Sequence, residues 1–224
     1  MTDLIIYGTG KLGQMVYFLL KNEAKYNIVC FTADEKYCTE KTFLSLPLIP
    51  FDSIEENYPK EQYKMITVVG GFGGTRIRKE MFDKAKAKGY FHVNYIHPSV
   101  VNEGDIEMGE NNIIFPYCIL GFSGKMADNN IIREKVYLGH DFEMGSHNFI
   151  GVGCNIGGES KVGDLTYLAM NTTLTNNICI GDESFVGIGS LVLKNTDSYS
   201  KYYGRPAKKV EENREEGIII NGNR

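Results

Sequence analysis

The sequence predicts a small, Rossmann-like α/β domain followed by a left-handed parallel β-helix of hexapeptide repeats. Two patterns carry this prediction. An aliphatic residue recurs at every sixth position from Met108 to Val192, fifteen positions without an insertion. Before this repeat, short apolar runs alternate with helical patterns, which is typical of a parallel sheet covered by helices. We therefore divide the chain into residues 1–95, residues 96–200 and a tail, residues 201–224, that caps the β-helix.

A period of six residues fits neither an α-helix nor a simple alternating strand. It fits a triangular coil of three hexads, each of which turns its aliphatic side chain inward. The residue two positions earlier is mostly small, and we expect it to point inward as well. These small residues are Cys118, Gly124, Cys154, Ser160, Thr166, Thr172, Ser184 and Ser190. Glycine often follows the aliphatic residue, where we expect it to fit the tight backbone of a corner.

In the N-terminal region we predict strands at residues 4–7, 26–31 and 65–69 and a helix at residues 75–88. The first strand leads through Gly8-Thr9-Gly10-Lys11-Leu12-Gly13 into another helical pattern. Backbone N–H groups at such a turn can cradle phosphate, and Asp34 follows about twenty positions later. About a hundred residues precede the repeat, so a mononucleotide or nucleotide-linked sugar fits this domain better than NAD. A turn without a ligand is the alternative, and a second glycine cluster at residues 70–74 is either another lip of the same cleft or a loop.

Composition narrows the class of protein. The net charge of −4 argues against a nucleic-acid partner, which requires a basic surface. No apolar run has the length of a membrane span, and no basic segment precedes the first apolar residues as in a signal peptide. The cysteines form no CxxC pair, so we expect free, buried thiols in a reducing cytoplasm. They are Cys30, Cys38, Cys118, Cys154 and Cys179.

His140 is the strongest candidate for chemistry. It lies two positions after an inward aliphatic residue, so its side chain should point outward, with Asp141 beside it. An imidazole next to a carboxylate is the usual equipment for general base catalysis. A surface histidine without a role is the alternative. We expect His147, which also lies off the inward positions, to be a surface histidine without a role, and His97 in the linker at residues 93–101 to be structural.

Several features occur together in one group of proteins. They are the hexads, the outward GHD at residues 139–141, the YGTGKLG turn at residues 7–13, the IHPS linker at residues 96–99 and YGRPAK at residues 203–208. On these features the whole chain resembles the bacterial sugar O- and N-acyltransferases typified by the sialic-acid O-acetyltransferases and the bacillosamine-pathway UDP-amino-sugar N-acetyltransferases. The resemblance implies an acetyl-CoA-dependent homotrimer. Acetyl-CoA is expected in the groove between neighbouring β-helices, and the nucleotide of the acceptor in the N-terminal domain.

The resemblance also implies residue roles. His140 corresponds to the catalytic base, and Asp141 to the acidic neighbour that raises its basicity. The implied acceptor-binding residues are Gly8, Gly10, Lys11, Leu12 and Asp34. The implied cofactor-binding residues are Phe149, Gly151, Met170, Ile188 and Arg205. Two departures stand out, because amino-sugar relatives carry a second histidine where this chain has Phe149 and often Gly-His where it has Lys11-Leu12.

The expected chemistry requires a base and an oxyanion donor. His140 would take the proton of a sugar amine or hydroxyl, and the amides of Gly151, Gly153 or Gly157 are candidate oxyanion donors. Asp141 can hold the imidazole tautomer only if it lies at a corner, because adjacent strand residues point to opposite faces. Basic residues near the tail either meet the phosphates of CoA or form a solvated charged end. These are Lys194, Lys201, Arg205, Lys208 and Lys209.

We therefore predict a cytoplasmic, metal-free N-acetyltransferase acting on a UDP- or dTDP-linked amino sugar in surface glycan biosynthesis. A sugar O-acetyltransferase is the alternative. A zinc site is disfavoured because it needs three histidines, and the β-helix supplies only His140 and His147. A non-catalytic scaffold is disfavoured because the chain keeps both a glycine-rich turn and an outward His–Asp pair.

Overall fold

The computed structural model describes residues 1–70, 74–212, 214, 215 and 217, and the chain divides into two compact units. The first unit comprises Met1–Gly70 and Glu80–Asn94, and the second comprises Gly71–Lys79 and Tyr95–Arg224. Within the described residues, no helix has the length and apolar character needed to span a membrane.

The first unit is built on a five-stranded sheet in the order β3-β4-β2-β1-β5, parallel except for the β3–β4 pair. The elements up to α3 are β1 (Thr2–Tyr7), α1 (Lys11–Lys21), β2 (Tyr26–Ala33), β3 (Thr42–Phe43), β4 (Leu46–Pro50), α2 (Ile54–Asn57), β5 (Lys64–Thr67) and α3 (Thr75–Ala87). Strand β1 lies between β2 and β5, and its last four side chains are fully buried. A central parallel strand is covered on both faces, which is why this run is continuously apolar.

The second unit is a parallel β-helix of two-residue strands. They are β6 (Tyr95–Ile96), β7 (Val101–Asn102), β8 (Glu107–Met108), β9 (Ile113–Ile114), β10 (Ile119–Leu120), β11 (Lys125–Met126), β12 (Ile131–Ile132), β13 (Tyr137–Leu138), β14 (Glu143–Met144), β15 (Phe149–Ile150), β16 (Asn155–Ile156), β17 (Lys161–Val162), β18 (Tyr167–Leu168), β19 (Thr173–Leu174), β20 (Cys179–Ile180), β21 (Phe185–Val186) and β22 (Leu191–Val192). The strands form three sheets that meet at three corners. Strand β23 (Ser200–Tyr203) adds to the sheet of β21, and β24 (Lys208–Glu212) pairs antiparallel with β23. The predicted α/β domain followed by a left-handed β-helix is confirmed.

The interior of the β-helix follows the hexad pattern with one difference. The predicted aliphatic side chains from Ile114 to Val192 are buried, and Met108 is partly buried at the open end. The second inward position is not uniformly small, because it also holds large side chains. Phe142 fits there because Gly124, one coil earlier, has no side chain in the space its ring occupies.

A column of asparagines also fills the second inward position in one sheet. Asn130 donates from Nδ2 to Asn112 Oδ1 at 3.0 Å and to the Gly145 carbonyl at 2.9 Å. The Asn148 N–H donates to Asn130 Oδ1 at 2.9 Å. Buried amides are stable only with such partners, so the column links successive coils through the core.

The corners correct the expected role of the glycines that follow each aliphatic residue. The left-handed backbone falls two residues later, on side chains such as Asp141 (φ 54°) and His147 (φ 65°). The glycines are needed for close packing instead. A Cβ atom on Gly139 would run into the backbone of Gly157 and Gly158 in the next coil.

Each corner is marked by a column of residues two positions after the aliphatic ones. The His140 corner carries Gly104, Phe122, His140, Gly158 and Asn176. The Asp164 corner carries Glu110, Asp128, Ser146, Asp164 and Asp182. The Met170 corner carries Pro116, Glu134, Val152, Met170 and Ile188. At the Asp164 corner each side chain caps the preceding coil: the Ser146 N–H donates to Asp164 Oδ1 at 2.6 Å, and the Asp164 N–H to Asp182 Oδ1 at 2.8 Å.

We predict that Asn130→Ala lowers the free energy of unfolding by about 3 kcal/mol, because it leaves buried donors and acceptors of neighbouring coils without partners. Urea denaturation followed by circular dichroism measures the loss. Asn155→Ala is the matched control, since Asn155 is exposed on the same β-helix, and it should cost less than about 0.5 kcal/mol. Equal losses in both variants would contradict a structural asparagine column.

Candidate active site

The turn after β13 brings His140 and Asp141 together. The left-handed backbone at Asp141 turns its carboxylate back toward the preceding ring, so that His140 Nδ1 and Asp141 Oδ2 are 2.8 Å apart. Asp141 therefore lies at a corner, as its pairing with His140 requires. A neutral imidazole that donates from Nδ1 to a carboxylate leaves Nε2 as a proton acceptor. The side chains are 40% and 48% exposed, so the pair is open to a ligand.

Two residues that the sequence did not single out contact the imidazole. The Phe122 ring stacks on it, with ring centroids 5.5 Å apart and planes 14° apart. Gly158 lies against it from the next coil. Both residues belong to the His140 corner, one coil to either side.

The backbone amides of the three glycines that we expected as oxyanion donors already form hydrogen bonds between coils. The N–H of Gly151 donates to Leu168 O at 2.7 Å, that of Gly153 to Glu134 O at 2.9 Å and that of Gly157 to Leu174 O at 3.1 Å. These amides are already used between coils. The Gly158 N–H, in contrast, has no hydrogen-bond acceptor within the part of the chain that the structure describes. It is an amide of a residue that lies against the His140 ring and is not engaged by any described residue.

The structure brings together only some of the expected cofactor contacts. Met170 and Ile188 lie one coil apart on the Met170 corner, and their apolar side chains are 47% and 67% exposed. Exposed apolar neighbours of this kind are typical of a binding surface. Phe149 does not join them, because it is buried and its ring stacks on Tyr167 with centroids 4.8 Å apart. Gly151 allows the backbone of the next coil to pack closely against it.

The basic residues near the tail fall into two groups. Lys201 pairs with Glu211 at 3.0 Å, and Lys209 pairs with Asp197 at 3.0 Å and with Glu212. Their charges are therefore balanced by carboxylates of residues 197–212. The remaining three cations are exposed and form no ion pair with any described residue. They are Lys194, Arg205 and Lys208.

In the first unit, the glycine turn divides into packing and open positions. Gly8 has a φ of 133°, and a side chain there would strike the Val68 backbone, while a side chain on Gly13 would strike the Gly8 carbonyl. Gly10 has open space around it and begins α1 without a side-chain cap or an acidic residue in the first turn. Uncapped N–H groups at a helix start favour anions.

The flanking residues of the turn offer different groups to a ligand. Lys11 is exposed, whereas Leu12 is buried and can offer only its backbone. Among the residues of the second glycine cluster, 71–73 lie outside the described part of the chain.

Asp34 follows β2 and is held by a residue that the sequence did not single out. The Tyr7 hydroxyl donates to Asp34 Oδ1 at 2.9 Å, and the Tyr7 ring stacks on Phe51 with centroids 4.2 Å apart. Burial, with the Asp34 carboxylate next, raises the pKa of Tyr7, so its hydroxyl stays a donor. This bond fixes one carboxylate oxygen and leaves the other for a ligand.

The other histidines have structural surroundings. The expected surface position of His147 is wrong, because its side chain is buried and its Nδ1 lies 2.9 Å from Asn129 Nδ2. His97 Nδ1 lies 2.8 Å from Ser99 Oγ in the linker. His92 is buried 3.0 Å from Thr67 Oγ1. Over the described residues, no cluster of three or more His, Cys, Asp or Glu side chains is arranged to hold a metal ion.

Comparisons with known proteins agree with this architecture. Residues 3–85 match the family model of the PglD N-terminal domain. A sequence comparison with curated proteins gives no match. The predicted resemblance is confirmed for the N-terminal domain and for the fold of the whole chain.

Solved structures similar to the chain include three bacterial proteins. The acetyltransferase domain of PglB from Neisseria gonorrhoeae FA1090 has 20% identity and a TM-score of 0.83, covering 94% of this chain and 100% of that one. PerB from Caulobacter crescentus, in complex with CoA and GDP-perosamine, has 21% identity and a TM-score of 0.82, covering 94% and 98%. WeeI from Acinetobacter baumannii AYE has 17% identity and a TM-score of 0.81, covering 94% and 100%. The chain thus has the fold of these three structures.

We predict that neutral His140 carries its proton on Nδ1, and that Asp141→Gly removes this preference because the carboxylate acceptor is lost. Glycine suits the position, since Gly153 and Gly189 adopt positive φ at equivalent sites in other coils. Nitrogen-15 NMR of the neutral imidazole measures the tautomer. The His147 signals, from a ring bonded to Asn129, should stay unchanged. An Nδ1-protonated His140 in the Asp141→Gly variant would contradict the assignment.

Proposed function

We propose that the protein transfers the acetyl group of acetyl-CoA to the amino group of a nucleotide-linked sugar, with His140 as the general base. The observation that carries the proposal is the exposed His140–Asp141 pair, in which the carboxylate engages Nδ1 and leaves Nε2 to act as the base. The pair lies on a β-helix that follows a region matching the PglD N-terminal domain family. The PglB acetyltransferase domain has been solved with acetyl coenzyme A, and PerB with CoA and GDP-perosamine. These complexes support the choice of donor and of acceptor class.

The proposed reaction needs one proton acceptor. The sugar amine attacks the thioester carbonyl while Nε2 of His140 takes its proton, and the C–N bond forms. The tetrahedral oxyanion then collapses, the C–S bond breaks, and the imidazolium returns the proton to the departing thiolate of CoA. A positioned base of this kind contributes about 10²–10⁴-fold to the rate. Asp141 stabilises the imidazolium, and the Gly158 N–H is the proposed oxyanion donor.

The donor is proposed to bind along the Met170 corner. Met170 and Ile188 offer an apolar surface to the pantetheine arm, and the unpaired cations Arg205, Lys194 and Lys208 suit the phosphates of CoA. As in the resembled family, we infer a homotrimer with the donor between neighbouring β-helices. Light scattering after gel filtration tests the trimer directly.

The acceptor is proposed to bind to the first unit through its nucleotide. The open N-terminus of α1 at Gly10 suits the phosphates, and the free oxygen of Asp34 can accept a hydrogen bond from a base or ribose. We propose UDP or dTDP as the nucleotide, and a cytoplasmic reaction, since nucleotide sugars and acetyl-CoA are cytoplasmic metabolites. The GDP-perosamine held by PerB makes a GDP-linked amino sugar the third candidate.

We predict that His140→Ala lowers kcat by about 10²–10⁴-fold. The assay is thiol release from acetyl-CoA with a panel of UDP-, dTDP- and GDP-linked 3- and 4-amino sugars. Burial raises the pKa of the Cys118 thiol to about 11 and that of Cys154 to about 12, so these two groups stay unreactive toward the thiol reagent.

His97→Ala is the matched control, because His97 is a linker histidine bonded to Ser99, and it should keep the activity. Release with hydroxyl sugars alone would replace N-acetylation by O-acetylation. A folded protein that releases no thiol with any acceptor would refute the proposal.

We predict that Gly10→Ala weakens binding of the nucleotide sugar about tenfold while leaving stability almost unchanged. No atom lies within 4 Å of a Cβ placed there, and the φ of −67° suits alanine, so only a ligand can meet the added methyl group. Gly8→Ala should instead destabilise the protein, because its side chain has no room. Isothermal titration calorimetry and thermal unfolding separate the two effects. Unchanged affinity in Gly10→Ala would contradict the proposal that the phosphates bind at this turn.

A further inference from the structure

We infer that Phe122 and Gly158 form two walls that position the imidazole of His140, and that this positioning raises the rate of proton transfer. The inference rests on the proposed function of His140 as the base. It assigns a role to an exposed aromatic residue and to a glycine that the catalytic pair alone leaves unexplained.

Phe122 covers one face of the imidazole. The two rings are nearly parallel, 14° apart, with centroids at 5.5 Å. Phe122 does not serve the core, because its side chain is 51% exposed. The preceding coil makes room for it with Gly104, where a Cβ atom would lie 2.9 Å from Phe122 Cβ. An exposed phenyl ring held over a histidine is suited to fixing that ring rather than to stabilising the fold.

Gly158 approaches the ring from the following coil, whereas Phe122 belongs to the preceding one, so we assign Gly158 to the opposite face. A Cβ atom placed on Gly158 would lie 2.5 Å from His140 Nε2 and 2.8 Å from both Cδ2 and Cε1. If the Cβ atom lay in the plane of the ring, beyond Nε2, its distances to Cδ2 and Cε1 would be much longer than its distance to Nε2. These nearly equal distances therefore place the Cβ over the ring face. The imidazole packs flat against Gly158 at a distance that any side chain would prevent.

The backbone does not require glycine at position 158. Its φ is not in the left-handed region, and the equivalent position at the other corners carries side chains such as Asp164 and Val152. The small size of this residue is needed for the ring above it. Along the His140 corner, Phe122 is therefore the first wall, His140 is the base and Gly158 is the second wall.

The walls and the carboxylate restrict different freedoms of the base. Asp141 binds the Nδ1 edge and so selects the tautomer, whereas Phe122 and Gly158 limit rotation of the ring about its side-chain bonds. A histidine on an open surface samples several rotamers, and only one of them directs Nε2 at the acceptor. Fixing the ring keeps the base in the reactive geometry, which mainly benefits kcat.

The first test is a series at position 122, assayed with acetyl-CoA and the acceptor found in the panel. We expect Phe122→Ala to lower kcat about tenfold with KM for both substrates within about twofold. Phe122→Tyr should restore kcat, because it keeps an aromatic wall. Tyr117→Ala is the matched control and should keep wild-type kcat, because Tyr117 is an exposed aromatic residue three coils before the proposed donor contact Met170.

The second test adds a methyl group to the opposite wall. Gly158→Ala should displace the imidazole and lower kcat about 10²-fold. Gly145→Ala is its control, because the added methyl there meets Asp164 at another corner and brings similar crowding without touching His140. Carbon-13 relaxation of the His140 ring should report greater mobility in Phe122→Ala and not in Tyr117→Ala.

The outcomes separate this inference from the proposed function. If His140→Ala is inactive while Phe122→Ala and Gly158→Ala match their controls in kcat, the base stands and the walls are refuted. If His140→Ala keeps its activity, the proposed function itself fails. Should Gly158→Ala not fold, the Phe122 series and the ring mobility still decide.

Discussion

The pairing of each coil with the next at a spacing of eighteen residues is the constraint on which the rest of the second unit depends. Leu138 pairs with Ile156, as Leu120 does with Leu138, and this register persists from β6 to β22 in all three sheets. Parallel strands hold successive coils about 4.8 Å apart, so residues of equal position form columns in contact. An inserted residue between two hexads would break every column at once. This explains why the aliphatic period runs without interruption and why a corner can hold aligned functional groups.

The three corners differ in how far their groups are used by the fold. At the Asp164 corner, side chains satisfy the amides of neighbouring coils, and the hydrogen bonds extend from Asp128 to Asp182. The His140 corner keeps an imidazole, a glycine and an amide without an acceptor among the described residues, and the Met170 corner keeps exposed apolar side chains. Groups left unused by the fold are those that a ligand can use. The side chains of the Asp164 corner stabilise the stack of coils, whereas those of the other two corners include groups that are exposed and not used between coils.

The sequence was sufficient to predict the repeating elements of the β-helix but not the contacts between residues of successive coils. The hexad period predicted the β-helix, and the position of His140 two residues after Leu138 predicted its outward direction. The same period predicted that the glycines lie at the corners, but not that they allow the backbones of successive coils to pack closely. Close approach between coils leaves no pattern in the local sequence. The oxyanion donors were wrong because ladder bonds engage those amides. The β3–β4 hairpin was missed because proline and short length obscure its strand pattern.

Phe122 shows how the missed contacts arise and how they could be found. It lies eighteen residues before His140, too far for a pattern based on neighbours along the chain, yet one coil away in space. Once the period is known, the residues eighteen positions before and after a candidate base are its neighbours. Tyr7 has no such aid, since its bond to Asp34 joins the ends of two different strands in a sheet whose register no repeat announces. Contacts in the β-helix are therefore predictable from its own periodicity, whereas those in the α/β unit require the three-dimensional structure.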